Sequence, residues 1–134
     1  MTLRLLTHRW PTLLALALVF VTFVDGLPPT AFLAALLVIM PVCYLAFGLV
    51  RGELGESRTL IVQLAGLAVF GALAVLVALT DGRFALTLLA AGWFAHAAWD
   101  FAHHRSGTVV PQAWSEWCGV VDAAGATAIL ILAW

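Results

Sequence analysis

The chain has 134 residues, of which 64% are hydrophobic and only 10% charged, and its mean hydropathy is +1.09. Soluble domains carry about 25% charged residues, and a chain this short cannot bury so much apolar surface inside a globule. The composition therefore predicts a single membrane domain over residues 1–134. All six cationic residues are arginines and the formal net charge is −1, which argues against nucleic acid as a partner.

Five apolar segments are each close to the length of about 20 residues that a helix needs to cross the hydrocarbon core. Turn-forming stretches separate them, such as DGLPP after the first segment and RGELGES after the second. The predicted fold is an all-α integral membrane bundle of five transmembrane helices. The predicted spans run roughly over residues 11–27, 30–50, 58–80, 84–104 and 111–134.

The first segment has a basic start and a short apolar run, which are also typical of a signal peptide. No small-x-small cleavage site follows it, and Pro28 and Pro29 stand where one would be expected. We therefore favour a retained first helix.

The arginines indicate the orientation of the five predicted spans. With a cytoplasmic N-terminus, only Arg83 would face outward. The positive-inside rule then predicts an extracytoplasmic C-terminus and a bacterial-type inner (plasma) membrane location. The arginines on the cytoplasmic side would be Arg4, Arg9, Arg51, Arg58 and Arg105.

The unusual polar residues of the second to fifth predicted spans all fall between the cytoplasmic boundary and mid-membrane. The extracytoplasmic half is nearly bare by comparison. This segregation predicts one polar intramembrane cavity that opens toward the cytoplasm and is walled by several helices. The residues concerned are Tyr44, Gln63, His96, Asp100, His103, His104, Cys118 and Asp122.

The stretch HAAWDFAHH in the fourth span carries most of these groups. His96, Asp100 and His103 are spaced i, i+4 and i+7, which places them on one helical face. In the fifth span, a stripe of small residues is broken by Asp122, and small residues let helices approach closely in lipid. Because a short loop joins the two spans, they should be antiparallel, and Asp122 should lie near the depth of His96.

The pattern predicts an enzyme that acts on a lipid or isoprenoid-like substrate by acid–base chemistry, as an isomerase, cyclase or hydratase. A histidine beside an aspartate can move protons near neutral pH. His96 or His103 would be the base, Asp100 would orient it, and Asp122 would be the opposing acid. The predicted substrate-binding residues are Tyr44, Gln63, Trp93, Trp99 and Cys118.

A metal site is an alternative interpretation, because histidine and carboxylate ligands suit zinc or iron. The pattern HxxxDxxHH differs from the histidine boxes of membrane desaturases, since an aspartate replaces a histidine. The alternative is therefore a simpler metal enzyme or a metal transporter with a divalent metal as cofactor. The candidate ligands are His96, Asp100, His103, His104, Glu116 and Asp122.

Two further interpretations remain open. In the first, the chain is a structural subunit of a membrane complex, and the buried His–Asp pairs serve only to hold helices together. In the second, the chain forms a proton or ion pathway, although a conduit would need polar residues in both halves of the membrane. The small-residue faces also favour homo-oligomers, and membrane lipid is the expected surrounding partner.

Overall fold

A computed structural model of the chain describes residues 8–134 and shows five α-helices, with no strand, in that part of the chain. The all-α prediction is confirmed. Arg4, which was used to predict the orientation, lies outside the described residues. The helices are α1 (Trp10–Phe23), α2 (Thr30–Val50), α3 (Ser57–Ala78), α4 (Gly82–Ser106) and α5 (Gln112–Ala133).

The helix boundaries follow the predicted spans to within two residues, except at the end of α1. That helix was predicted to reach residue 27 but ends at Phe23. Gly26 follows with a φ of 113°, a left-handed conformation that interrupts a helix, and two prolines come after it. With 14 residues, α1 rises about 21 Å, which is less than the thickness of a typical hydrocarbon core.

Three of the helices, α2, α3 and α5, are long and apolar enough to cross a membrane. The longest helix, α4, has 25 residues, but it carries the aspartate and histidines of the HAAWDFAHH stretch. The three apolar helices support an integral membrane protein.

The bundle has an apolar exterior, and its mainly apolar interior also contains several polar side chains. Large apolar side chains are exposed on the outer faces: Phe20 is 68% exposed, Val69 is 63% and Ile131 is 71%. Polar side chains, in contrast, are buried in the interior. Such a surface is stable only in an apolar solvent. The buried polar residues are Gln63, His96, Asp100, His103, Ser115 and Asp122.

The helices pack around a central pair formed by α4 and α5, which is the most extensive helix–helix contact. The remaining helices are arranged on both sides of this pair: α3 packs on α4, α2 packs on both α3 and α4, and α1 packs on α5. Contacts between α1 and α2 are few, although the two helices are consecutive in the chain. The bundle is therefore loosely packed between α1 and α2.

Glycines allow α4 and α5 to approach closely. A Cβ atom at Gly119 would lie 3.3 Å from the Cβ of Asp100, and one at Gly125 would collide with the ring of Trp93. The predicted small-residue stripe of α5 therefore does face α4. This close approach brings the polar groups of the two helices within hydrogen-bonding distance.

The α2–α3 and α4–α5 loops lie at one end of the bundle, and the start of α4 and the C-terminus lie at the other. Leu54 of the α2–α3 loop and Val109 of the α4–α5 loop both pack against Gly48 near the end of α2. At the other end, the guanidinium of Arg83 lies 5.8 Å from the ring centre of Trp134. The arginine-rich loops thus share one end of the molecule, and Arg83 lies at the other.

We predict that Gly125→Ala destabilises the bundle, because the added methyl group forces the Trp93 ring to move. Overpacking of this kind lowers the free energy of unfolding by about 1–3 kcal/mol. Gly71→Ala is the matched control, since its Cβ would meet no atom within 4 Å. Unfolding of both variants is measured in mixed detergent micelles. Equal stability of Gly125→Ala and Gly71→Ala would contradict the close packing of α4 on α5.

Candidate functional site

Four polar side chains from three helices form a buried cluster at the centre of the bundle. Tyr44 comes from α2, His96 and Asp100 from α4, and Asp122 from α5. Each of the four side chains is 0% exposed. We refer to these four residues as the His–Asp cluster.

Hydrogen bonds run through the cluster without a break. His96 Nδ1 lies 2.7 Å from Asp122 Oδ2 and 3.3 Å from Asp100 Oδ2. The hydroxyl of Tyr44 donates a hydrogen bond to the other oxygen of Asp100, Oδ1. Because an ionised carboxylate only accepts hydrogen bonds, Nδ1 of His96 is the donor when both aspartates are ionised, and a protonated Asp122 could instead donate to Nδ1. As predicted, Asp122 lies at the depth of His96.

Among residues 8–134, two fully buried atoms of the cluster have no hydrogen-bond partner. They are His96 Nε2 and Asp122 Oδ1. Unpaired buried polar atoms are rare in folded proteins, and each calls for an explanation such as a catalytic role. In the described part of the chain, one ring nitrogen of His96 and one carboxylate oxygen of Asp122 are thus left without a hydrogen bond.

His103 belongs to a second, separate polar pair. Its Nδ1 donates to the Trp99 carbonyl oxygen at 2.9 Å, so that Nε2 is free to accept from the Gln63 amide nitrogen, also at 2.9 Å. Within residues 8–134, neither ring nitrogen bonds to the His–Asp cluster. The two groups meet where the edge-on rings of Tyr44 and His103 pack together, with centroids 4.8 Å apart.

The His103–Gln63 pair lines a polar cavity of about 380 Å³ at the end of the bundle that holds the arginine-rich loops. Residues from the start of α3 and the end of α4 form the rest of its wall. They include Glu56, Arg58, Thr59, Ser106 and Thr108.

The other candidate metal ligands lie away from the cluster. His104 Nδ1 donates to the Gln112 carbonyl oxygen at 3.1 Å, which ties the end of α4 to the start of α5. Glu116 accepts a hydrogen bond of 2.5 Å from Thr12 and lies 3.7 Å from the Arg9 guanidinium. Both side chains therefore make contacts between segments of the fold and do not extend the cluster.

A second cavity, of about 310 Å³, lies between α1, α2 and α5, on the side of the bundle where α1 and α2 make few contacts. Its walls are almost entirely apolar. Its polar residues include Thr22, whose hydroxyl donates to the Leu18 carbonyl oxygen, and Asp122, which also belongs to the His–Asp cluster. The other lining residues are Leu18, Val19, Phe23, Phe32, Leu36, Ile39, Met40, Cys43, Trp93, Trp114, Trp117, Cys118 and Val121.

The predicted substrate-binding residues are divided among different environments. Trp93 and Cys118 line the apolar cavity, and Gln63 lines the polar one. Tyr44 is committed to Asp100, and Trp99 packs against Gly66. The sequence predicted a single polar cavity, but the structure has a packed polar cluster between an apolar and a polar cavity.

Trp114 and Trp117 line the apolar cavity but were not among the predicted site residues. The helical spacing of α5 is the signal that could have identified them. Residues 114, 117, 118, 121 and 122 recur every three or four positions, which places them on one stripe of the helix. That stripe includes Asp122 and runs beside the small-residue stripe that faces α4.

The ligand atoms of His96, Asp100 and Asp122 lie within 4.8 Å of one another, as in a metal site. The bonds from zinc to nitrogen or oxygen are about 2.0–2.2 Å, so two ligand atoms of a tetrahedral site are roughly 3.3 Å apart. His96 Nδ1 and Asp122 Oδ2 are closer, at 2.7 Å. This pair has the spacing of a hydrogen bond, so these two atoms would have to separate to bind the same metal ion.

The sequence matches no protein-family model, and comparisons with curated proteins and with solved structures also find no match. The assignment of a function therefore depends on the geometry of the chain itself.

We predict that Tyr44→Phe destabilises the fold, because it leaves Asp100 Oδ1 buried without its partner. The expected loss in the free energy of unfolding is about 1–3 kcal/mol. Thr127→Val is the matched control, since the Thr127 hydroxyl bonds only to the Ala123 carbonyl oxygen of its own helix. Both variants are unfolded in mixed detergent micelles. A Tyr44→Phe variant as stable as the control would show that the phenol does not hold Asp100.

Proposed function

We propose that this protein is a small integral-membrane enzyme that transfers protons to and from a lipid or isoprenoid-like substrate. The observation that supports this proposal best is the position of Asp122. One of its oxygens bonds to His96, the other has no partner, and the residue forms part of the wall of the apolar cavity. A proton-transfer group is thus held beside a space that suits a hydrocarbon.

The residues of the cluster would have distinct roles. Asp122 would give a proton to one carbon of a substrate double bond, or take one from the neighbouring carbon. His96, which shares a proton with Asp122 through Nδ1, would adjust the charge of that carboxyl group during transfer. Asp100 would stabilise the imidazole ring, and Tyr44 would hold Asp100 in place.

His103 is less suited than His96 to be the base. Both of its ring nitrogens already have partners, Trp99 and Gln63. Its place beside the polar cavity instead suits a role in exchanging protons with water at that end of the bundle. The free Nε2 of His96 makes His96 the stronger candidate.

The route into the site favours a membrane lipid as substrate. The apolar cavity lies where α1 and α2 make few contacts, so a molecule could enter sideways from the bilayer. Lipid-facing openings of this kind admit apolar molecules without passage through water. An isomerase, cyclase or hydratase reaction would fit, since each moves a proton to or from carbon.

We further propose that all five helices cross or enter the membrane, with a cytoplasmic N-terminus and an extracytoplasmic C-terminus. The arginine-rich loops lie at the end of the bundle that holds the polar cavity, whereas Arg83 lies at the opposite end. The positive-inside rule then favours a cytoplasmic position for the polar cavity. The expected location is a bacterial-type plasma membrane.

Metal binding is the second candidate, and the grouping of three potential ligands favours it. His96, Asp100 and Asp122 would be the ligands of a zinc or iron ion. Elemental analysis of detergent-purified protein tests this candidate, with His96→Ala as the comparison. A stoichiometric metal that is lost in His96→Ala would replace acid–base catalysis with metal-dependent chemistry or transport.

The proposed orientation of the protein in the membrane predicts how a matched pair of cysteine substitutions in two loops will react. Asp81→Cys, in the α3–α4 loop, should react with a membrane-impermeant maleimide in intact cells. Glu53→Cys, in the α2–α3 loop, should react only after permeabilisation. The reversed pattern would show that the termini face the other way, and equal labelling would contradict a membrane between the loops.

We predict that the protein catalyses exchange of solvent deuterium into lipid carbon. Reconstituted protein is incubated in heavy water with total membrane lipids and linear polyprenyl alcohols, and the lipids are analysed by mass spectrometry. Asp122→Asn should abolish the exchange because the amide no longer transfers a proton. Glu116→Gln is the matched control, since it removes the other carboxyl group of α5 outside the cluster.

Two outcomes would overturn the proposed chemistry. One is the absence of any exchange that depends on the wild-type protein. The other is a folded Asp122→Asn variant that retains full exchange. Loss of folding in Asp122→Asn, together with exchange by wild type no greater than by empty vesicles, would instead favour a purely structural cluster.

A further inference from the structure

The apolar cavity is long and follows the helix axes. On α2 its wall extends from Phe32 to Cys43, a helical rise of about 16 Å. On α5 it extends from Trp114 to Asp122, a rise of about 12 Å. Combined with a volume of about 310 Å³, these lengths describe a slot and not a rounded chamber. A slot of this shape matches a linear chain that lies parallel to the helices.

Two unused hydrogen-bond donors mark one end of the slot. Within residues 8–134, the indole nitrogens Nε1 of Trp114 and Trp117 are buried and have no partner, as is also the case for Trp99 outside the slot. Trp114 and Trp117 both line the cavity, with ring centroids 5.4 Å apart. An indole N–H only donates, and buried tryptophans normally find an acceptor. The third tryptophan of the wall differs, since Trp93 Nε1 already donates to the Leu33 carbonyl oxygen.

The charge of the wall excludes an anionic head group. None of the described residues that line the slot carries a positive charge, and Asp122 would repel a phosphate or carboxylate. Two free donors with no cation suit a neutral oxygen, such as that of an alcohol or a carbonyl group.

We propose that the slot binds one single-chain lipid with a neutral oxygen head group at Trp114 and Trp117 and its chain running past Asp122. This inference rests on the proposed function and defines its substrate class. Along α5, Asp122 lies about 7.5 Å beyond Trp117 and about 12 Å beyond Trp114. The carboxyl group would therefore face a carbon within the chain, and the proton transfer would occur at an internal double bond.

Photo-crosslinking tests the binding mode. The probe is a linear fatty alcohol that carries a diazirine midway along the chain and a terminal alkyne. In the reconstituted wild-type protein, the label should map to α5 around Asp122. Leu36→Trp fills the slot and should reduce labelling roughly tenfold, the change expected if about 1.4 kcal/mol of binding free energy is lost to overpacking. Val69→Trp, on the outer face of α3, is the control and should label like wild type.

The head-group position is tested by a second probe with the same chain but no oxygen. Replacing both Trp114 and Trp117 with Phe should weaken labelling by the alcohol about two- to tenfold, the effect of losing a neutral hydrogen bond. Labelling by the hydrocarbon probe should not change. Trp134→Phe, at the opposite end of the bundle, is the control and should affect neither probe.

The inference is wrong if Leu36→Trp labels as strongly as Val69→Trp, or if the two tryptophan substitutions weaken both probes alike. Its failure is distinguishable from failure of the proposed function. Deuterium exchange that survives in Leu36→Trp would overturn the slot as the substrate site while leaving the chemistry intact. Specific labelling of a wild-type protein that shows no exchange would overturn the chemistry while leaving the lipid site intact.

Discussion

The hydrogen bond between His96 and Asp122 is the contact on which the interior of this protein depends. It joins α4 to α5, the two helices with the most extensive packing, at a position shielded from water. A charged residue at the centre of a bilayer costs at least about 2.5 kcal/mol unless it has a partner. Each side chain therefore makes the other tolerable. Asp100 and Tyr44 extend the same network to α2, so one set of polar groups fixes the relative positions of three helices.

Helix α5 carries two adjacent stripes of residues, one of which faces α4 and the other the apolar cavity. The stripe with Gly119 and Gly125 lets α4 approach until its side chains touch the backbone of α5. The stripe with Trp114 and Trp117 lines the apolar cavity, and the Trp114 ring also packs against Phe47 of α2, with ring centroids 4.8 Å apart. Asp122 lies where the two stripes meet. Tight packing on one side thus positions a residue that also forms part of the cavity wall on the other.

Much of this arrangement could be predicted from local features of the sequence. Apolar runs and turn residues indicated the helices, and the spacing of His96 and Asp100, with a short loop before α5, indicated that Asp122 would lie beside them. The packing of α1 on α5 could not be predicted, because apolar helices with no polar face fit several neighbours in lipid. The apolar cavity depends on this packing and therefore could not be predicted either. The partners of His103 were also missed, because the Trp99 carbonyl oxygen belongs to the backbone and Gln63 lies on a distant segment.

The polarity of α4 has a consequence for biogenesis. In the proposed topology, this helix would leave the translocon poorly by itself, because Asp100 and three histidines lie within its last eleven residues and polar groups in a span oppose insertion. Its partner is on α5, which begins at Gln112, only a short loop after α4 ends at Ser106. We expect α4 to wait at the translocon until α5 is synthesised, so that the two helices enter the bilayer together as a hairpin. The pairing of His96 with Asp122 would then decide first whether the nascent chain is integrated or degraded.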